Sequence, residues 1–241
     1  MMDLRNGDCL EVLKTIPDNS IDLIITSPPY NLSHKKRNCG GCLIKYNSYS
    51  DDLNYDDYIK WQVDVLNECF RVLKDTGLLY YNHKERHIKG YYFNPLHIIE
   101  KTKFNVLQTI IWDRSSGMTF NIGRFVNCYE TITVAYKSNK YMRINKKYEK
   151  MFDIWHFLPE RRPYQIASFP MELPSRIIQA YDNQKELTIL DPFMGSGTTG
   201  VASKKFNRNF IGIEIDKIYF ENAKNRIDSY NLDEKNIKGI Y

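Results

Sequence analysis

No apolar run in the 241-residue chain approaches the roughly 20 residues needed to cross a bilayer. Its start, Met1-Met2-Asp3-Leu4-Arg5, lacks the apolar stretch of a secretory signal. A cytoplasmic protein without a membrane partner is therefore expected. Cysteine is scarce as well: there are five, an odd number at irregular spacing, which fits reduced thiols rather than a disulfide framework. Cys39-Gly40-Gly41-Cys42 has the spacing of a metal-ligand pair, but no second cysteine pair or spaced histidine pair complements it, and His34 is the only nearby candidate. No metal site is assigned, and two free thiols in a loop are the better reading. No Pro/Gly/Ser-rich linker, internal repeat or low-complexity tract divides the sequence, so a single domain over residues 1–241 is expected. The net charge of +5 suits a polyanionic partner without requiring one.

What is present is an alternation of strand-like and helix-like stretches, the pattern of an α/β fold whose mostly parallel sheet carries helices on both faces. Ile21 to Thr26 reads as a buried strand. From Tyr58 to Lys74 the apolar residues Ile59, Val63, Leu66, Phe70 and Leu73 recur at spacings of four and three, one stripe of a helix, with Gly77 just beyond it and a strand from Leu78 to Asn82. Val106 to Trp112, Thr131 to Tyr136 and Asn209 to Glu214 read as later strands, the last leading into a helix from about Asp216 to Asp228. The aromatic run Tyr91-Tyr92-Phe93 reads as core.

Two stretches fit the alternation poorly. Residues 31–54, rich in Asn, Ser, Lys, Gly and Tyr, are too long for an ordinary connection and read as a mobile loop. Residues 114–164 mix aromatics with many Lys and Arg, including Arg124, Lys146, Lys147, Arg161 and Arg162. Their basic and aromatic content suits contact with a polyanion, or else a solvated basic surface over an aromatic patch.

Chemistry concentrates in two motifs, each after a short apolar run: Thr26-Ser27-Pro28-Pro29-Tyr30 follows Leu23-Ile24-Ile25, and Asp191-Pro192-Phe193-Met194-Gly195-Ser196-Gly197-Thr198-Thr199 follows Leu187-Thr188-Ile189-Leu190. Both read as loops at the carboxyl ends of parallel strands, where open α/β sheets bind ligands. In the first, two prolines fix φ and remove backbone donors, leaving a stiff turn with free carbonyls. Ser27 Oγ and the Pro28 carbonyl can then accept the two hydrogens of an amino group, and Tyr30 offers a ring face for stacking. In the second, Gly195 and Gly197 allow a tight turn and close approach of backbone to ligand, ahead of a helix opening near Thr198. No Gly-Lys-Ser/Thr follows those glycines, so this is not a phosphate-binding P-loop.

The motifs and their order resemble the amino-directed DNA methyltransferases, in the circularly permuted β-type subgroup whose target-base motif precedes its cofactor motif. The resemblance runs through Trp61, Glu68, Arg71 and Gly77 and through Phe169 to Ile178; it departs at Gln165-Ile166, where relatives often carry His-Pro, so no cofactor contact is assigned there. It implies a Rossmann-like methyltransferase fold and transfer of a methyl group from S-adenosylmethionine to an exocyclic amino nitrogen of a flipped base. Ser27, Pro28, Pro29 and Tyr30 would be the catalytic positions, and Asp8, Cys9, Asp191, Phe193, Gly195, Ser196, Gly197, Thr198 and Glu214 the cofactor site. Within that site Asp191 would meet the ammonium, Glu214 the ribose and Asp8 the adenine. Lys35, Lys36 and Arg37 follow the catalytic turn closely enough to meet phosphates of double-stranded DNA, unless they are a solvated charge run. The family places its target-recognition segment between the catalytic and cofactor halves, which makes residues 114–164 the candidate target-recognition insertion, and it suggests a cognate restriction endonuclease and a homodimer as candidate partners. Ser-Pro-Pro-Tyr favours N4 of cytosine narrowly over N6 of adenine. Methylation at cytosine C5 is disfavoured because none of the five cysteines follows a proline. RNA or protein glutamine is a more distant alternative, since such enzymes usually carry Asn at the Ser27 position and place the cofactor motif first.

Overall fold

The computed structural model describes residues 1–31, 52–88, 91–115, 123, 125–159 and 169–230. His34, Lys35, Lys36, Arg37, Cys39, Cys42, Arg124, Arg161, Arg162 and Gln165-Ile166, all singled out above, lie outside the described residues. In chain order the elements are β1 (Met2–Asn6), α1 (Cys9–Leu13), β2 (Ile21–Thr26), α2 (Tyr55–Val72), β3 (Leu73–His83), β4 (Arg86–Ile88), β5 (Tyr91–Phe93), α3 (Leu96–Ile99), β6 (Asn105–Asp113) and β7 (Tyr129–Tyr136). A short 3-10 turn, Lys146–Tyr148, precedes β8 (Ile154–His156), α4 (Glu172–Ala180), β9 (Thr188–Asp191), α5 (Thr198–Lys205), β10 (Asn209–Glu214) and α6 (Lys217–Asp228).

Eight strands form one sheet in the order β1-β10-β9-β2-β3-β7-β6-β8. The five from β1 to β3 run parallel, as the alternation of strand and helix requires, whereas β7 is antiparallel to both its neighbours. The apolar side chains of β2 split between the faces: Ile21 and Ile24 join the core under α1, α2 and α3, while Leu23 and Ile25 join the core under α4, α5 and α6. A strand buried on both faces reads as continuous apolar sequence, which is why Ile21 to Thr26 was recognisable.

Several expectations need correction. The helix read as Tyr58 to Lys74 spans Tyr55–Val72, capped by the Asn54 side chain on Asp57 N–H, and Leu73 has already turned extended to pair with Ile21 of β2. Its buried face takes in Ile59 and Leu66 of the predicted stripe and extends to Tyr58, Gln62, Val65, Cys69 and Val72, with Val63 and Phe70 half-buried at its edge. Two of these carry polar groups: Gln62 Oε1 accepts from Tyr81 Oη at 2.9 Å, and Tyr58 serves the catalytic turn. Of Tyr91-Tyr92-Phe93 only Phe93 is core; Tyr91 and Tyr92 are exposed, on a two-stranded unit with β4 that stands apart from the main sheet. Residues 114–164 are interrupted by β7, which sits between β3 and β6 inside the main sheet, so the recognition candidate comprises the segments flanking β7 and not one continuous insertion. Among the described residues no helix is long and apolar enough to cross a membrane.

Candidate active site

The two motifs, 165 residues apart in sequence, leave the sheet side by side because β2 and β9 are parallel neighbours, with Leu23 opposite Ile189 and Ile24 opposite Leu190. A buried carboxylate joins them. Asp191 Oδ1 accepts from Thr26 Oγ1 at 2.8 Å and from Phe193 N–H at 3.1 Å, and Oδ2 accepts from Thr199 Oγ1 at 2.7 Å. At 1% exposure this group ties the catalytic strand to the cofactor loop through three hydrogen bonds. Burial pushes its pKa up to about 6 against the three hydrogen bonds that favour the ion.

At the first motif Ser27 Oγ lies 2.7 Å from Tyr30 Oη, and Tyr30 donates to Glu130 Oε2 at 3.1 Å. Asn82, at the carboxyl end of β3, directs its amide nitrogen to Tyr30 Oη at 2.8 Å and Glu130 Oε2 at 3.0 Å, with Ser27 Oγ further off at 3.4 Å. Arg114 Nη1 holds the other oxygen of Glu130 at 2.9 Å. Burial, reinforced by the Glu130 charge, raises the Tyr30 phenol well above its ordinary range, so it keeps its proton. Its ring is not open on both sides: one face stacks on His83 with centroids 4.5 Å apart, leaving less of it for a base than the sequence suggested.

His83 also fixes the turn. Lys84 N–H donates to its Nδ1 at 2.7 Å, which places the ring proton on Nε2, 2.7 Å from Tyr58 Oη, and Tyr58 in turn donates to the Pro29 carbonyl at 2.9 Å. Burial, helped by Arg86, pushes the His83 pKa down to about 3, so this chain of bonds stays neutral. The Pro29 carbonyl is thereby taken, while among the described residues none donates to the Pro28 carbonyl.

At the second motif Gly195 adopts φ +51° and Gly197 φ +77°, the left-handed region that L side chains avoid. They differ in surroundings. A Cβ on Gly195 would meet nothing closer than the Phe193 carbonyl at 3.8 Å, whereas one on Gly197 would lie 3.1 Å from both Ala223 and Ile227 of α6. Ser196 and Thr198 are buried and turned to Arg226, whose Nη1 donates to the Ser196 carbonyl at 2.9 Å and to Thr198 Oγ1 at 3.0 Å, so their side chains shape the loop. Phe193 packs edge-on against Trp61 at 5.5 Å. Glu214, on the next strand, accepts from Gly195 N–H at 2.9 Å and Asp216 N–H at 2.9 Å, and burial raises its pKa against those bonds. Asp8 is the N-cap of α1, accepting from Leu10 and Glu11 N–H, and the bond from Gly7 N–H to the Glu214 carbonyl at 3.0 Å holds it beside Glu214. Cys9 is turned into the core, where burial pushes its thiol up to about 12.

Sequence reasoning missed Thr26 and Thr199 as partners of Asp191, Arg226 as the support of the glycine loop, and Asn82, His83, Tyr58 and Glu130 behind the catalytic turn. A signal existed for two of them. Asn82 ends an apolar strand and Glu130 interrupts another, and a polar group there needs a buried partner.

A mostly parallel sheet with an acceptor turn and a glycine loop on adjoining strand ends defines a Rossmann-like methyltransferase. A family model described as DNA methylase (N6_N4_Mtase) matches residues 21–225. The chain belongs to this family: it is an S-adenosylmethionine-dependent DNA amino-methyltransferase. It is 31% identical to the Type II methyltransferase M.HpaI of Haemophilus parainfluenzae over 92% of this chain and 73% of that one. It is 30% identical to the Type II methyltransferase M.BglII of Bacillus subtilis, over 97% and 70%. Among solved structures it resembles the M1.HpyAVI–SAM complex with a TM-score of 0.64 at 25% identity, over 94% of this chain and 100% of that one. The fold is also that of the cytosine-N4-specific PvuII DNA methyltransferase, with a TM-score of 0.76 at 20% identity over 97% and 89%.

Proposed function

We propose that the protein methylates N4 of cytosine in double-stranded DNA, at a base flipped out of the helix into the space beside Ser27. An exocyclic amino nitrogen is a poor nucleophile because its lone pair is delocalised into the ring. Acceptors for both N–H bonds favour the tetrahedral geometry in which that lone pair is available, and they hold the nitrogen in line for attack. The observation that carries this reading is the pair Ser27 Oγ and Pro28 carbonyl at the end of β2, with the neighbouring Pro29 carbonyl already occupied by Tyr58. Ser27 is a neutral acceptor where enzymes acting on adenine more often place a carboxylate, which tips the choice to cytosine.

The residues present fit the cofactor. Gly195 leaves open space where a side chain would stand, and Asp8 and Glu214 follow or end the adjoining strands β1 and β10, joined there by the bond from Gly7 N–H to the Glu214 carbonyl. Each Glu214 oxygen accepts one backbone N–H and has a second lone pair for a hydroxyl. Bound there, S-adenosylmethionine supplies an electrophilic methyl group on a sulfonium. The chain's own part is to orient the amino nitrogen through Ser27 and Pro28, to fix the distance between base and cofactor loop through Asp191, and to meet DNA phosphates through Lys35, Lys36 and Arg37. A cognate restriction endonuclease and self-association as a homodimer complete the reading.

The test is chemical. DNA modified by the purified protein is digested to nucleosides and the methylated one identified by mass spectrometry. N4-methylcytosine is expected; N6-methyladenine alone overturns the choice of base, and 5-methylcytosine overturns the acceptor mechanism.

A further inference from the structure

We propose that Glu130 and Asn82 are positioning residues that set the direction of the Ser27 hydroxyl, turning its proton away from the target amino group so that its lone pairs face the incoming N–H. This rests on the reading that Ser27 accepts an amino hydrogen. A hydroxyl has one proton and two lone pairs, so Ser27 can serve as acceptor only if its own proton is committed elsewhere. Its partner is Tyr30 Oη at 2.7 Å, a contact in which either oxygen could donate.

The surroundings of Tyr30 decide which does. Tyr30 also has a single proton, and two groups compete for its oxygen. The Glu130 carboxylate, 3.1 Å away, can only accept. The Asn82 amide nitrogen, 2.8 Å away, can only donate. Glu130 therefore draws the Tyr30 proton, Asn82 fills one Tyr30 lone pair, and the remaining lone pair is left to receive the Ser27 proton. The guanidinium of Arg114, 2.9 Å from Glu130 Oε1, gives the buried carboxylate its counter-charge. None of these three residues needs to touch the substrate. Arg114 stands directly after β6, at the head of the segment read as target recognition, so the orientation of the catalytic hydroxyl is tied to the position of that segment.

Glu130→Gln tests the direction. The new NH2 would face the Asn82 amide nitrogen as well as Tyr30, so Glu130→Gln is made in an Asn82→Ala parent, which serves as its reference. With Arg114 holding the amide oxygen, the Tyr30 proton turns to Ser27, and the Ser27 proton is released toward the substrate. We expect kcat to fall by about 10²-fold with unchanged Kd for S-adenosylmethionine and for DNA, on the scale of losing one preorganised transition-state contact. Tyr30→Phe removes the oxygen that transmits the reversal and keeps the ring, so in that background Glu130→Gln should have no further effect on kcat. A purely structural role predicts multiplying losses when Tyr30→Phe is added; that outcome, or a Glu130→Gln kcat within threefold of its parent, overturns the proposal. Should Glu130→Gln not fold, Glu130→Leu takes its place: with the acceptor gone the Tyr30 proton has Ser27 Oγ to turn to, and the kcat loss should again disappear in the Tyr30→Phe background, with the same overturning result. Ser27→Ala is assayed alongside. Its wild-type turnover would refute the acceptor role itself, whereas a slow Ser27→Ala with a normal Glu130→Gln refutes only the orienting network.

Discussion

Asp191→Asn probes the carboxylate that joins the two halves of the site. The folded-state pKa of about 6 lies above the ordinary value of 3.8, so the native state holds this proton more tightly than the unfolded chain. Between about pH 4 and pH 6 the native state binds a proton that the unfolded state has released, and stability contributed by this group falls as pH rises through that window. A shift of about two units corresponds to about 3 kcal/mol of cost carried by the ionised form at neutral pH. Asparagine removes that cost. Because Thr26 and Phe193 both donate to Oδ1, the amide oxygen can keep both bonds, and its NH2 then faces Thr199, whose hydroxyl must rotate at a loss of about 1 kcal/mol. The variant should therefore gain about 1–3 kcal/mol over wild type at pH 7.5 and lose that advantage near pH 4. Urea unfolding of both proteins at several pH values checks this, since every other titrating group cancels in the difference. A difference that does not change with pH would show that Asp191 is not the group responsible. Asp191→Ala has the opposite effect: it strands the Thr26 and Thr199 hydroxyls without their acceptor at about 1–3 kcal/mol each, and it should weaken S-adenosylmethionine binding by loosening the loop.

The two loop glycines should fail differently. Gly197→Ala combines a left-handed backbone with a Cβ pressed on Ala223 and Ile227, and is expected to lower stability by roughly 2–4 kcal/mol. Gly195→Ala meets open space, costs only about 1 kcal/mol, and should instead weaken cofactor affinity; thermal unfolding and calorimetry separate the two, and equal melting temperatures would contradict the assignment. Neutralising Lys35, Lys36 and Arg37 together should weaken binding to all DNA sequences alike and flatten its salt dependence, measured by titration at several salt concentrations, because phosphate contacts release counterions without reading bases. Unchanged affinity and slope would make the run a solvated surface.

Much of this architecture was legible in the sequence. Strands buried on both faces, Ile21 to Thr26 and Asn209 to Glu214, read as unbroken apolar runs, and each motif stood directly after such a run. What could not be read were pairings between distant segments. Nothing local to Tyr129–Tyr136 distinguishes an antiparallel strand inside the sheet from one in an insertion, and nothing local to Asp191 shows that Thr26 will lie 2.8 Å away. The α2 stripe was read too narrowly because Tyr58 and Gln62 are polar-tipped side chains whose burial depends on partners in β3, Tyr81 and His83, that a periodicity of apolar residues does not count.

The strand order also sets when the enzyme can come into being. Among the described residues β1 pairs with β10 alone, and the Met1 amine reaches Asn209 across 208 residues. At roughly 5–20 residues per second, some 10–30 s of translation separate Ser27 from Asp191 on the ribosome. During that interval β2 has no neighbour on its β9 side, and the catalytic turn lacks the carboxylate that fastens Thr26. A nascent chain can assemble β2, β3, β6 and β7 into a partial sheet, but its open parallel edge must stay shielded from other chains until β9 and β10 emerge. Methyl transfer is therefore gained in one step once β9 and β10 have emerged, and fragments that stop before β9 have no reduced version of it.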